Sequence, residues 1–236
     1  MQVNSTRPFR NFYGRRYGKR LRPGQRRLLD ENLEPLSVPR LSSASLSTPS
    51  EIVCSQLFGR DRPVWLEIGF GAGEHLVHQA QCHPEVNILG CEPFINGVAS
   101  LLGKLRDQPL ANIRIHPGDV RDVMDILPDA SISRAFLLYP DPWPKKRHHR
   151  RRFMNPEFLT PLARVMTRGS QLRLATDVAD YARQALEQIR INSPFFWVAS
   201  NKRDWETPWD HWPSTRYEAK ACREGRKPIY LTFRRE

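Results

Sequence analysis

Asp141 is the best placed residue in this 236-residue chain to take part in chemistry. It stands in Tyr139-Pro140-Asp141-Pro142-Trp143-Pro144, and Lys145-Lys146-Arg147-His148-His149-Arg150-Arg151-Arg152 follows at once. Flanking prolines restrict the backbone on both sides of the carboxylate. The indole beside it offers a flat surface for stacking, and the cations behind it can grip phosphates. A fixed carboxylate, a ring and a cationic strip suggest a reaction on a nucleobase within RNA or DNA. The plainer readings are a loop acid making a turn and a solvated basic face.

A second group of acids surrounds Glu67-Ile68-Gly69-Phe70-Gly71-Ala72-Gly73-Glu74. Glycines let a backbone turn sharply and approach a ligand closely. A dinucleotide fingerprint would need its third glycine at position 74, which is Glu. An acid at a helix start opposes a pyrophosphate but not a cationic ligand. Glu92 lies about 20 residues further on, where an acid can accept from both ribose hydroxyls. Asp119 follows the next apolar run and suits an adenine amino group. Together Glu67, Gly69, Gly71, Gly73, Glu92 and Asp119 point to S-adenosylmethionine, a cationic nucleoside without phosphates. His75 and His78 are three apart on a helix, but no third ligand is spaced to join them, so no metal is expected.

An alternating pattern of apolar runs and amphipathic segments has to position these residues. Strands are expected at 64–68, 86–91, 113–115, 132–138 and 172–175, with helices at 74–81, 94–105, 120–126, 158–166 and 177–190 between and after them. Segments 195–198 and 229–233 fit a closing antiparallel pair. The expected fold is α/β, a doubly wound Rossmann-like sheet, in which Asp141 sits at the carboxyl end of a strand, where ligands bind. Residues 1–49 read as a flexible basic arm and a Ser-rich linker, with a short helix at 24–34 ended by Pro35 and Pro39. The catalytic domain is expected over 50–236, opening with a short helix near Pro49-Ser50-Glu51. Asp177, directly after Thr176, reads as a helix N-cap.

The formal net charge is +12 and it is segregated. Residues 1–40 carry +7, residues 145–152 +6 and residues 216–236 +4, which leaves the rest of the chain at −5. Segregated positive charge is the footprint of a phosphate backbone. No apolar run is long enough to cross a membrane, and the basic N-terminus lacks the apolar core of a secretory signal. The four cysteines form no C-x-x-C pair and read as free, buried thiols in a reducing cytoplasm.

LEIGFGAGEHL, GCEPFINGVASLL, YPDPWPKKRHHRRR, LATDVADYA and STRYEAKA occur in this order, and over about residues 50–236 the chain resembles the bacterial tRNA (guanine-N7-)-methyltransferase family. The resemblance implies a class I methyltransferase that uses S-adenosylmethionine and acts on a variable-loop guanine of tRNA; no obligatory protein partner is evident in the sequence. It puts Glu67, Glu92, Asp119 and Asp141 at cofactor positions, with Asp141 the catalytic acid. Lys145, Asp177, Thr215, Arg216, Tyr217 and Glu218 fall at substrate positions. Lys146, Arg147, Arg150, Arg151 and Arg152 fall on the tRNA-backbone strip. Two alternatives stand beside it: an exocyclic amino-group methyltransferase, because Asp141-Pro142-Trp143 echoes a [D/N]-P-P-[Y/F/W] loop, and a non-catalytic RNA-binding protein of the same fold. A nicotinamide oxidoreductase is disfavoured by Glu74.

Overall fold

Apolar runs too uniform for a one-sided sheet pair here as parallel strands covered on both faces. A computed structural model describes residues 12–38, 57–191 and 193–236. Strands β1 (Val64–Ile68) and β2 (Asn87–Cys91) are buried along their whole length. With β3 (Ile113–His116), β4 (Ile132–Leu138), β5 (Met166–Thr176), β6 (Phe195–Trp197) and β7 (Ile229–Arg235) they form a seven-stranded sheet in the order β3-β2-β1-β4-β5-β7-β6. Strands β1 to β5 are mutually parallel, and β7 runs antiparallel between β5 and β6. The strand order reverses between β1 and β4, which is the switch point where such sheets open a crevice.

Alternation along the strands divides the core. Leu66 and Ile68 face one apolar cluster with Leu89, Leu137 and Leu174. Trp65 faces the other with Ile88, Ile113 and Phe136. The described helices are α1 (Pro23–Leu36), α2 (Glu74–Cys82), α3 (Ile95–Asp107), α4 (Val120–Met124), α5 (Pro156–Val165), α6 (Ala179–Arg190), α7 (Arg203–Glu206) and α8 (Arg216–Arg223), with a 3-10 helix at Lys146–Arg151. Helix α3 buries Val98, Leu101, Leu102 and Leu105, and α6 buries Tyr181, Ala182, Ala185 and Ile189, with Ile95, Val178 and Leu186 partly buried beside them. No described helix is long and apolar enough to cross a membrane.

Several expectations need correction. Pro35 does not end α1 but lies inside its last turn, where Ser37 closes the helix through its N–H to Glu34 O and its hydroxyl to Leu33 O. The arm is not loose throughout. Helix α3 starts with orphan N–H groups, and the Ile95 N–H donates to Arg16 O at 3.0 Å. Asn96 adds two bonds at 2.8 Å, accepting from the Gly18 N–H and donating to Lys19 O. Residues 12–22 are thus tied down beside the cleft. Of the cysteines, Cys91 is buried, but Cys82 and Cys222 are exposed because they lie on the outer sides of α2 and α8. The linker, Pro39, Cys54 and the expected helix near residue 50 lie outside the described residues.

Candidate active site

The carboxyl ends of β1, β2 and β4 open into a cleft of about 860 Å³. Gly69 (φ 74°) and Gly71 (φ 57°) turn the chain left-handed along one wall, a conformation that suits glycine. The space beyond Gly69, where a side chain would go, is open, whereas a Cβ at Gly97 would strike the Gly71 carbonyl. Helix α3 therefore seats the loop from behind. Gly73 lies away from the cleft as the left-handed N-cap of α2, and a Cβ there would meet Leu101 at 2.6 Å.

Glu92 stands at the cleft floor after β2. Its Oε2 accepts from Gly71 N–H at 2.6 Å and its Oε1 from Phe94 N–H at 2.8 Å. Burial pushes its carboxyl up to about 7 despite these amides. Between the ordinary value of 4.5 and about 7 the folded chain holds a proton that the unfolded chain has released. Stability from this group is therefore present below the lower value and lost as pH rises through the upper one. Glu92→Gln should remove that loss, so denaturant midpoints of wild type and variant should diverge between these values and run parallel above them. A constant gap across the window would rule out the shifted carboxyl.

Asp119 also lines the cleft. It caps α4 through the Arg121 N–H (2.9 Å) and holds the Arg121 guanidinium, with Nη2 at 2.6 Å. Arg121 Nε also reaches both carboxylate oxygens, at 3.1 Å each. Glu67 lies behind the wall: it is buried, and its Oε2 meets His75 Nδ1 at 2.8 Å under Phe136 and Trp212. The structure does not bring it to the cavity, because its place in β1 points its side chain into the sheet face that α2 covers.

Asp141 is exposed on the cleft rim, and its carboxylate accepts no hydrogen bond from the described residues. The loop that carries it is strained. Tyr139 (φ 49°) and Trp143 (φ 42°) are both left-handed without being glycine, at about 1–3 kcal/mol each. Both ends of the loop are held. The Tyr139 N–H donates to Ala175 O at 2.8 Å. Arg152 takes the other end, donating through Nε to Pro142 O at 2.7 Å and through Nη2 to Trp143 O at 3.4 Å.

Arg152 is the main correction to the expected phosphate strip. Its side chain is fully buried, and Asp180 Oδ2 (2.7 Å), Asp180 O (3.4 Å) and Gln184 Oε1 (2.9 Å) take its other donors. All five guanidinium N–H groups are matched inside the protein, so none is left for RNA. Arg151 is half-buried between two rings, 4.8 Å from Tyr13 and 4.9 Å from Trp143, and lines the cleft. Lys145, Lys146, Arg147 and Arg150 remain exposed and pair with no carboxylate among the described residues.

The C-terminal group divides. Tyr217 is exposed on the cleft wall, its ring close to Gly71 and to the exposed Arg216. Thr215 is buried as the N-cap of α8, accepting from Glu218 N–H at 3.2 Å. Glu218 faces inward, where its Oε2 accepts from Tyr139 OH (2.9 Å) and Trp212 Nε1 (2.7 Å). Asp177 is not a cap. Val178 holds that position, with its N–H on Thr176 Oγ1, and Asp177 pairs with Arg226 at 2.5 Å. Sequence reasoning missed Phe12 to Arg15 on the cleft wall, although the arm's alternation of aromatic residues with arginine is their trace. Among the described residues no group of His, Cys, Asp or Glu could hold a metal ion.

Strand order, the antiparallel β7 and a ligand cleft at the switch point define a class I methyltransferase fold. Two solved structures share it at 16% identity: an antibiotic-related methyltransferase (TM-score 0.56, covering 82% of this chain and 97% of that one) and the 16S rRNA methyltransferase KamB (0.55, 80% and 95%). Residues 61–231 match a family described as putative methyltransferase. The tRNA (guanine-N(7)-)-methyltransferase of Ruegeria pomeroyi is 59% identical over 229 residues, spanning 97% of this chain and 96% of its own. The enzyme of the same name from Paracoccus denitrificans is 57% identical over 228 residues, with the same two shares. The chain belongs to the tRNA (guanine-N(7)-)-methyltransferase family.

Proposed function

We propose that this chain methylates N7 of a guanine in tRNA, with S-adenosylmethionine held in the cleft by Glu92, Asp119 and the Gly69–Gly71 backbone. Asp141, unengaged among the described residues, on a strained loop fixed at both ends between an acid-lined cleft and a cationic strip, carries the reading. The cleft suits the cofactor: open space faces Gly69, and the wall carries the carboxylates of Glu92 and Asp119. Its volume lies within the range of ligand pockets. When bound, the cofactor supplies a methyl group on a positively charged sulfur.

Guanine N7 has a lone pair on the major-groove edge and needs no base to free it. Positioning should therefore dominate. The purine becomes cationic on alkylation, and a carboxylate held beside the ring stabilises that charge. Asp141 takes this role, with Trp143 and Tyr217 as apolar walls for the base. Glu92 accepts from the ribose hydroxyls in its ionised form. The tRNA lies along Lys145, Lys146, Arg147 and Arg150, and the reaction belongs in the cytoplasm.

Incubation with labelled methyl donor and unmodified tRNA, followed by digestion, tests the reading. Base-labile 7-methylguanosine is expected. An N6- or N2-methylated purine would instead identify an amino-group methyltransferase, and failure to bind cofactor would leave a non-catalytic RNA-binding protein. Replacing Lys146, Arg147 and Arg150 by Ala should lower affinity for all tRNAs alike. Each phosphate deprived of its cation should flatten the plot of log K against log salt by about 0.7–0.9. A filter-binding salt series checks this, and an unchanged slope would place the RNA on another face.

A further inference from the structure

We propose that the sheet face carrying Arg134, Arg173 and Arg234 is a second tRNA-binding surface, a phosphate-contacting patch separate from the strip at residues 145–150. The proposal rests on the methyl-transfer reading above and names a further part of the substrate's footprint. The three arginines come from three adjacent strands, so no segment of the sequence displays them together. Arg134 of β4 stands opposite Gln171 of β5, and Gln171 stands opposite Arg234 of β7. Arg173 is two residues on from Gln171 and shares its face, which makes it the diagonal neighbour of both other arginines. Like charges placed across neighbouring strands repel.

Each guanidinium lies over an aromatic ring: Arg134 4.1 Å from Trp65, Arg173 5.3 Å from Trp209 and Arg234 5.7 Å from Phe196. A ring beneath a guanidinium steadies it and uses none of its N–H donors. Among the described residues only Arg173 Nε of these side chains meets an acceptor, Gln171 Oε1 at 3.2 Å, and none of the three pairs with a carboxylate. The exposed Asp210 acts on Arg173 through its charge alone. Arg134 and Arg173 are half-buried, and burial together with the Arg134 charge pushes the Arg173 guanidinium down to about 10. A half-buried cation without a carboxylate is costly. The buried arginines near the cleft are matched instead, Arg121 by Asp119 and Arg152 by Asp180. The patch therefore lacks an anion with several acceptor oxygens, and an RNA backbone offers such oxygens in a row. Phe196 is exposed beside Arg234 and adds a surface on which a base can stack. The cleft is near: Arg173 stands two residues before Ala175, whose carbonyl holds the Asp141 loop, about 7 Å along β5.

The test uses the full chain and unmodified tRNA, with Arg134→Gln, Arg173→Gln, Arg234→Gln and the triple variant, and urea unfolding as the control for folding. Each arginine in contact with a phosphate should contribute about 0.7–0.9 to the slope of log K against log salt, and its loss should cost about fivefold in affinity near 0.15 M salt. The triple variant should therefore bind all tRNAs alike about 100-fold more weakly, with the effect in KM for tRNA rather than in kcat. Phenylglyoxal, which modifies accessible guanidinium groups, gives a second readout that needs no turnover. In the wild-type protein tRNA should protect Arg173 and Arg234 from modification, and S-adenosylmethionine alone should not. Should a half-buried substitution fail to fold, Arg234→Gln, at an exposed position, and the protection of Arg234 decide by themselves. A folded triple variant with wild-type affinity and salt slope, or modification that is equal with and without tRNA, would overturn the proposal. So would binding to phosphatidylserine-containing vesicles that the triple variant loses while its tRNA affinity is unchanged, which would give this face to a membrane surface. If the wild-type protein binds tRNA but forms no 7-methylguanosine, the functional reading fails, while affinity and protection still decide the patch.

Discussion

Asp141→Asn is expected to lower the rate of methyl transfer by about 10²–10³-fold, the scale for removing one preorganised electrostatic stabiliser. The substitution keeps the size and hydrogen-bonding oxygen of the side chain and removes only its charge. No hydrogen bond from the described residues to this carboxylate is broken, so the fold should be untouched. Cofactor affinity should persist, because Glu92 and the glycine loop remain. Single-turnover transfer to saturating tRNA, with calorimetry for the cofactor, separates the two effects. A folded variant with the wild-type rate would take Asp141 out of the mechanism.

Arg152→Ala should show the largest effect on stability, about 2–4 kcal/mol, because it strips part-buried carbonyls and the Asp180 carboxylate of their donor and opens a cavity where a fully buried side chain stood. The carbonyls in question are those of Pro142 and Trp143. Release of this end of the loop should also cost activity, since Asp141 lies immediately before Pro142. Arg150→Ala, two residues away and exposed, should be nearly neutral in stability and weaken tRNA binding instead. Urea unfolding of both variants, paired with tRNA binding, tests the division. Equal and small stability changes in the two would mean that Arg152 belongs with the surface strip after all.

In Lys145–Arg152 every cation looks alike, and nothing local marks the last one as different. Its role is set by Asp180 and Gln184, about one helix further along the chain. Glu218 is a similar case: in sequence it stands at a substrate position by resemblance, and only the fold sets Tyr139, 79 residues away, and Trp212 against its carboxylate. The left-handed turns at Tyr139 and Trp143 leave no trace in composition, because neither residue favours that conformation. Glu67 reads as a site acid by its place at the end of a strand, and His75 then claims it. Residues 12–22 read as a detached basic arm, and the orphan donors at the start of α3 draw them in.

Much was nonetheless legible along the chain: the alternation of strands and helices, the buried faces of α3 and α6, the antiparallel closing pair, the glycine loop, and the placing of Glu92, Asp119 and Asp141 at strand ends. These follow from periodicity, turn chemistry and chain order, which act over a few residues at a time. Which charges stay free and which are consumed emerges only when the chain is folded. A carboxylate or guanidinium becomes an internal strut or a ligand contact according to the donors and acceptors that distant segments bring to it. In the low-dielectric interior that matching is obligatory, since an unpaired buried charge is too costly to keep. Arg152 and Glu67 are used up in this way, while Asp141, exposed and without a described partner, is left for chemistry.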